Sequence, residues 1–162
     1  MSALLRVAIL TVSDSVSRGQ LEDKSGPALQ ERCAQLGWQV VANGVVADEQ
    51  GVIQMRLAEL ADAGTADVIL TTGGTGLGPR DVTPEATAAA CQRMIPGLGE
   101  LMREMGRRAN PRAVLSRAAA GVRARCMVIN LPGSPRGAVE SLDAVAALLP
   151  HAVEVLQGAR HD

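Results

Sequence analysis

Short apolar runs alternate along this chain with longer segments whose apolar residues repeat at helical spacing. The clearest run is residues 67–72, and similar runs occupy residues 5–13, 38–46 and 119–131. The intervening helices are predicted to span about 10–14 residues each. Buried parallel strands that alternate with helices form a sheet covered on both faces. The pattern therefore predicts an α/β fold, a three-layer sandwich with a mostly parallel central sheet and helices on both faces.

Composition narrows the class of protein. The 162 residues predict one domain over residues 1–162. The net charge is −1 and Trp38 is the single aromatic residue, so neither overall charge nor stacking rings favour a nucleic-acid partner. No apolar run approaches the roughly 20 residues of a membrane helix, which predicts no membrane partner. The widely spaced Cys33, Cys91 and Cys126 predict free thiols and a cytoplasmic location.

Polar and glycine-rich segments follow the predicted strands at the point where each one ends. They are Ser13-Asp14-Ser15, Asp48, the segment 73–81 and the segment 131–135. Ligands of open parallel sheets bind beyond the carboxyl ends of the strands. The concentration of glycine, hydroxyl and carboxylate groups therefore predicts a binding site at this edge of the sheet.

The segment Gly73-Gly74-Thr75-Gly76 directly follows the apolar run 67–72. Glycines allow backbone N–H groups to converge on an anion, and the start of the next helix adds partial positive charge. The spacing fits neither the dinucleotide-binding nor the P-loop pattern, which disfavours both motifs. From the spacing, a phosphate-binding loop and a tight strand-to-helix turn that merely requires glycine are both open.

Two carboxylates, Asp48 and Asp81, are expected on neighbouring loops. Such a pair suits Mg²⁺, which prefers carboxylate oxygens together with substrate phosphates. The alternatives are that Asp48 caps the helix after it, and that Asp81 pairs with Arg80 or closes a turn. Arg80 and Lys24 are each either a phosphate contact or a solvated surface charge. The residues by themselves leave these alternatives open.

Residues 71–87 resemble the signature of the MogA/MoaB family of molybdenum-cofactor biosynthesis proteins. The resemblance extends in order and spacing to Ser13-Asp14, Asp23-Lys24-Ser25-Gly26-Pro27, Ala47-Asp48-Glu49-Gln50, Pro96-Gly97, Leu115-Ser116-Arg117 and Asn130-Leu131-Pro132-Gly133-Ser134-Pro135. It covers nearly the whole chain. The form Pro-Arg-Asp-Val-Thr-Pro is closer to the MogA branch, the molybdopterin adenylyltransferases.

This resemblance implies a homotrimeric α/β enzyme that uses Mg²⁺ and ATP to adenylylate molybdopterin. The terminal phosphate of molybdopterin attacks the α-phosphorus of ATP, pyrophosphate leaves, and the product passes to molybdate insertion. Asp48 and Asp81 match the catalytic and metal-binding acids, and Ser116 matches a residue tied to pterin binding. The substrate-binding residues implied by the resemblance are Asp14, Thr72, Gly73, Gly74, Thr75, Gly76, Ser116, Pro132, Gly133 and Ser134.

Three other functions compete with this interpretation. A MoaB-type protein would bind pterin or nucleotide with little or no transfer. A hydrolase would cleave nucleotide-linked pyrophosphates, although the glycine loop resembles that of such enzymes less well. A scaffold would organise cofactor assembly on a trimer surface, as gephyrin-like proteins do through fused domains.

Overall fold

The computed structural model describes residues 4–158. Its strands are β1 (Arg6–Val12), β2 (Gln39–Val46), β3 (Val68–Thr72), β4 (Arg93–Met94), β5 (Ala120–Arg123) and β6 (Cys126–Leu131). Its α-helices are α1 (Asp14–Ser17), α2 (Ser25–Gln35), α3 (Gln50–Asp62), α4 (Thr83–Ala90), α5 (Pro96–Arg107), α6 (Pro135–Val145) and α7 (Leu149–Leu156). Two 3₁₀ turns cover Pro111–Leu115 and Ala146–Leu148.

All six strands form one sheet in the order β2-β1-β3-β6-β5-β4. The pairs β1–β2, β1–β3 and β3–β6 are parallel, whereas β5 runs antiparallel to both β4 and β6. The prediction of a mostly parallel sheet is thereby confirmed. The chain passes from β1 to β2 on one side and then to β3 on the other side of β1. The strand order reverses there, so a crevice opens between the ends of β1 and β3, where ligands of such sheets bind.

Buried side chains form two clusters, one on each face of the sheet. Successive residues of a strand point to opposite faces, so Ile9 joins one cluster and Leu10 the other. The first cluster includes buried residues of α2, α5, α6 and α7, and the second those of α3 and α4. This arrangement gives the three predicted layers. No helix within residues 4–158 is long and apolar enough to cross a membrane.

The structure departs from the sequence predictions around residues 91–95. The sequence predicts a helix that starts at Thr83-Pro84-Glu85 and breaks at Pro96-Gly97, yet α4 ends at Ala90 and β4 follows it. The N–H groups of Gln92 and Ile95 donate to the carbonyl oxygens of Val122 and Ala120, so the backbone pairs with β5 instead of continuing the helix. The predicted polar loop after β1 contains the single-turn helix α1. The three cysteines carry free thiols, as predicted.

Candidate functional site

The loops that follow the four parallel strands meet at one edge of the sheet. The Ser13 N–H donates to the Val46 carbonyl at 2.9 Å, which joins the ends of β1 and β2. The Gly73 N–H donates to the Leu131 carbonyl at 3.0 Å, which joins the ends of β3 and β6. The predicted loops are therefore neighbours in space, on the side of the sheet where the crevice opens.

The glycine loop requires glycine for structural reasons at two positions. Gly73 and Gly74 have φ values of +106° and +70°, in the region that other residues rarely adopt. A Cβ at Gly73 would overlap the Val12 carbonyl oxygen, and a Cβ at Gly74 would overlap the Thr83 hydroxyl. That hydroxyl donates to the Gly73 carbonyl at 2.9 Å and is buried. The segment Thr83-Pro84-Glu85 predicts a helix start with Thr83 as its cap, but Val82 occupies the cap position in the structure.

The same loop also presents backbone donors. The Gly73 N–H is engaged by Leu131, but the N–H groups of Gly74, Thr75 and Gly76 have no hydrogen-bond partner within residues 4–158. Consecutive free N–H groups after a strand end are available to donate to the oxygens of an anion such as phosphate. The loop is thus a tight turn that requires glycine, and it also leaves three backbone donors free.

Asp48 and Asp81 lie against this loop. A Cβ built on Gly74 would lie 3.2 Å from Asp48 Oδ1, and a Cβ on Gly76 would lie 2.9 Å from Asp81 Oδ2. Both carboxylates line one cavity of about 390 Å³, which Lys24 also lines. The structure therefore brings the two predicted acids and the glycine loop together.

The alternatives for the two acids are decided by their hydrogen bonds. Asp48 does not cap α3, since its Oδ2 accepts from the Asp14 N–H at 2.8 Å and its own N–H donates to Asp14 Oδ1 at 3.0 Å. Asp81 does close a turn, because its Oδ2 accepts from the Gly78 N–H at 2.9 Å. Arg80 pairs with Asp14 and not with Asp81, at 3.0 and 3.1 Å.

The surroundings of Asp14 and Asp48 shift the pKa values of these two acids in opposite directions. The hydrogen bond from Arg80 holds the pKa of Asp14 below its usual value. Burial raises the pKa of Asp48, and the negative charges of Asp14 and Asp81 raise it further. A bound cation would favour the ionised form of Asp48, because its charge offsets both the burial and the repulsion from the two neighbouring carboxylates. The smaller cavity therefore favours a positive ion next to the glycine loop.

The donor set agrees with Mg²⁺ delivered together with a phosphate ligand. No group of three or more His, Cys, Asp or Glu residues in the described part of the chain is arranged to hold a metal ion. Asp48 and Asp81 supply two carboxylates, and Mg²⁺ characteristically uses one or two protein carboxylates together with waters and substrate phosphates. Asp48 and Asp81 therefore fit the protein's share of a magnesium site.

A larger cleft of about 670 Å³ lies on the other side of the loop, between the loop, α5, the turn Pro111–Leu115 and α6. The predicted residues on its wall are Thr75, Gly76, Ser116, Pro132 and Ser134. Thr72, Gly73, Gly74 and Gly133 line the smaller cavity with the two acids. The predicted substrate residues thus divide between two cavities that share the glycine loop, and Asp14 reaches the site through its bonds to Asp48.

Asp23 lines the smaller cavity, although the sequence pattern does not single it out as a site residue. Its Oδ2 accepts from the Thr11 hydroxyl at 2.8 Å, and its Oδ1 accepts from the Gly26 N–H at 3.0 Å, in the first turn of α2. An Asp three residues before a helical glycine is a local capping signal that could have identified it. Asp23 thereby fixes the start of α2, and with it Lys24, at the cavity wall.

Comparison with known proteins identifies the family. A family model described as "Probable molybdopterin binding domain" matches residues 8–151. The chain belongs to this family. Curated members include the molybdopterin adenylyltransferase of Helicobacter pylori strain J99, which is 42% identical over 95% of this chain and 89% of its own length. The Escherichia coli K12 protein of the same name is 36% identical over 95% of this chain and 86% of its own length.

Solved structures of the molybdopterin-binding domain family agree with this assignment. MoaB of Thermus thermophilus superposes with a TM-score of 0.90 at 49% identity, covering 98% of this chain and 100% of that one. A MogA structure superposes with a TM-score of 0.88 at 40% identity, covering 93% and 99%. CinA of Thermoplasma acidophilum, at 18% identity and a TM-score of 0.68, shares the fold alone. The resemblance to the MogA/MoaB family is confirmed.

Proposed function

We propose that this protein is a molybdopterin adenylyltransferase. It transfers AMP from ATP to the terminal phosphate of molybdopterin and releases pyrophosphate. The relatives that carry this name support the assignment. The observation that carries it is the convergence of Asp48 and Asp81 on a loop with three free backbone N–H groups, those of Gly74, Thr75 and Gly76.

The reaction forms one phosphorus–oxygen bond and breaks another. A phosphate oxygen of molybdopterin bonds to the α-phosphorus, and the bond from that phosphorus to the oxygen shared with the β-phosphate breaks. The nucleophile is already an anion, so the protein needs no strong base. Positioning of the two phosphates and neutralisation of their charge are sufficient.

Each part of the site has a role in this reaction. The N–H groups of Gly74, Thr75 and Gly76 donate to phosphate oxygens. Asp48 and Asp81 would hold Mg²⁺, which neutralises the phosphates when it is bound. The larger cleft around Ser116, with its mainly apolar wall, accepts the pterin ring. Lys24 is placed to meet phosphate charge in the smaller cavity.

We also propose the biological setting that the family resemblance implies. The chain forms one domain over residues 1–162, assembles as a homotrimer and acts in the cytoplasm. Its product passes to a molybdate-insertion enzyme.

The test incubates the protein with molybdopterin, Mg²⁺ and ATP labelled at the α-phosphate. We expect one labelled adenylyl-molybdopterin for each pyrophosphate released. Asp48→Asn and Asp81→Asn should each lower kcat by about 100-fold or more. Asp62→Asn is the control, because Asp62 is an exposed acid that pairs with Arg123 outside the site.

The binding-protein and hydrolase alternatives each predict a result of their own. Tight binding of molybdopterin without label transfer identifies a MoaB-type binding protein. Release of phosphate products from a dinucleotide in the absence of pterin identifies a hydrolase. Either result would overturn the adenylyltransferase assignment.

A further inference from the structure

Arg117 crosses from the segment after the 3₁₀ turn Pro111–Leu115 to the glycine loop. Its backbone N–H donates to the Thr75 carbonyl at 2.8 Å. Its side chain donates from Nε to the Gly76 carbonyl at 2.8 Å and from Nη2 to the Asp81 carbonyl at 2.7 Å. One residue therefore holds both ends of the segment 75–81, which carries free loop donors at one end and a candidate metal-binding acid at the other.

Glu85 on α4 fixes the orientation of the guanidinium. Arg117 Nη1 donates to Glu85 Oε1 at 3.0 Å and to Oε2 at 2.7 Å. A guanidinium is planar and rigid, so an anchor on one edge sets the direction of its other donors. The Glu85 pair thus aims Nε and Nη2 at the two carbonyl oxygens of the loop.

The rest of the segment 75–81 has few links to the body of the protein. Among residues 4–158, its other hydrogen bonds are the internal turn between Gly78 and Asp81 and the exposed pair of Arg80 with Asp14. Leu77 at its tip is 69% exposed. Arg117 therefore supplies the main connection between this exposed segment and the structured part of the chain.

We propose that Arg117 is the positioning residue of the site, holding the Asp81 carboxylate and the loop N–H groups in their mutual arrangement. The proposal rests on the function proposed above. All four side-chain hydrogen bonds of Arg117 end on protein atoms, so it acts through the loop and not on the substrate. Arg117 also directly follows Ser116, which lies on the wall of the larger cleft, and its Nη2 donates to the carbonyl of Asp81, which lines the smaller cavity.

The kinetic test compares Arg117→Lys and Arg117→Met with Arg123→Met. Arg123 is a matched control, because it also donates to both oxygens of an acid, Asp62, and to a backbone carbonyl, that of Ala90. Arg123 lies opposite Cys126 in the pairing of β5 with β6. This position is at the start of β6, at the end of the sheet away from the site.

We expect both Arg117 variants to lose kcat by about 100-fold, the scale of a misplaced reacting group. The KM for molybdopterin should change by less than about threefold, because the pterin cleft is retained. Arg117→Lys should not rescue the rate, since an ammonium keeps the charge but lacks the fork. Arg123→Met should stay within about twofold of wild-type kcat. A wild-type kcat in Arg117→Met, or full rescue by lysine, would overturn the proposal.

A second readout needs neither metal nor substrate. Amide hydrogen exchange of the free protein should become about tenfold faster at residues 74–81 in Arg117→Met, because charge-assisted bonds to the loop are lost. Arg123→Met should leave exchange at residues 74–81 unchanged. Unchanged exchange there in Arg117→Met would contradict the positioning role, even if the wild-type protein proved unable to transfer AMP. Should Arg117→Met fail to fold, Glu85→Gln, which weakens the anchor alone, is expected to shift exchange and kcat in the same direction.

Discussion

Replacing Gly74 by alanine tests whether the glycine loop depends on the conformation and the close contacts of this residue. Gly74 has a φ of +70°, and an added Cβ would overlap the Thr83 hydroxyl and lie 3.2 Å from Asp48 Oδ1. The overlap must displace Thr83, whose buried hydroxyl donates to the Gly73 carbonyl. The substitution therefore perturbs the turn and one of the candidate metal ligands together.

The loss of stability has two parts. The left-handed conformation costs a non-glycine residue about 1–2 kcal/mol. Displacing a buried hydroxyl from its acceptor adds about 1–3 kcal/mol. The free energy of unfolding of Gly74→Ala should therefore fall by about 2–5 kcal/mol.

Gly37→Ala measures the cost of the left-handed conformation alone. Gly37 has a φ of +79°, and a Cβ there would meet no atom within 4 Å. This control should lose only about 1–2 kcal/mol and should keep its activity. Urea denaturation followed by fluorescence measures both variants, because the single tryptophan, Trp38, is buried in the core.

Equal losses of stability in Gly74→Ala and Gly37→Ala would refute this reasoning, since they would show that nothing crowds Gly74. A Gly74→Ala variant with wild-type adenylylation would refute the placement of this loop in the site. The expected result is a larger loss at Gly74 together with loss of AMP transfer.

Two further predictions concern pH. Because burial and neighbouring acids raise the pKa of Asp48, its ionised form costs the fold stability at neutral pH. Urea denaturation should find Asp48→Asn more stable than wild type at pH 7, with the difference vanishing below about pH 4, where the wild-type carboxyl is protonated in both states. Burial opposes ionisation of Asp67, but hydrogen bonds and charge from Arg6, with a bond from Gln157, outweigh it and lower the pKa. Asp67→Asn should therefore lose about 2 kcal/mol at pH 7, and the same measurement should show the difference from wild type shrinking as the pH falls below about 4, through the native pKa. A difference independent of pH would contradict either account.

The sheet and its binding edge are predictable from the sequence because both depend on local patterns. The apolar run 67–72 identifies β3 without reference to any other part of the chain, and a strand end marks where a ligand loop begins. The strand β4 is not predictable in this way. Its two residues, Arg93 and Met94, carry no periodic signal, and only the pairing with β5 makes them a strand.

The hydrogen bonds within the site cannot be predicted from local sequence patterns either. Asp14 and Asp48 are 34 residues apart, and Arg117 reaches Gly76 across 41 residues. The sequence identifies Asp48, Asp81 and the glycine loop as candidates, but which donor meets which acceptor depends on the folded chain. The same holds for Thr83, whose position suggested a helix cap and whose hydroxyl instead closes the loop.

The most direct test of the account is a crystal structure with Mg²⁺ and a non-hydrolysable ATP analogue. We expect the metal within about 2.0–2.2 Å of an oxygen of Asp48 or Asp81, or one water away. We expect phosphate oxygens at hydrogen-bond distance from the N–H groups of Gly74, Thr75 and Gly76. A metal held by other residues, or phosphates bound away from this loop, would contradict the central claim that the two acids and the loop form one phosphate-transfer site.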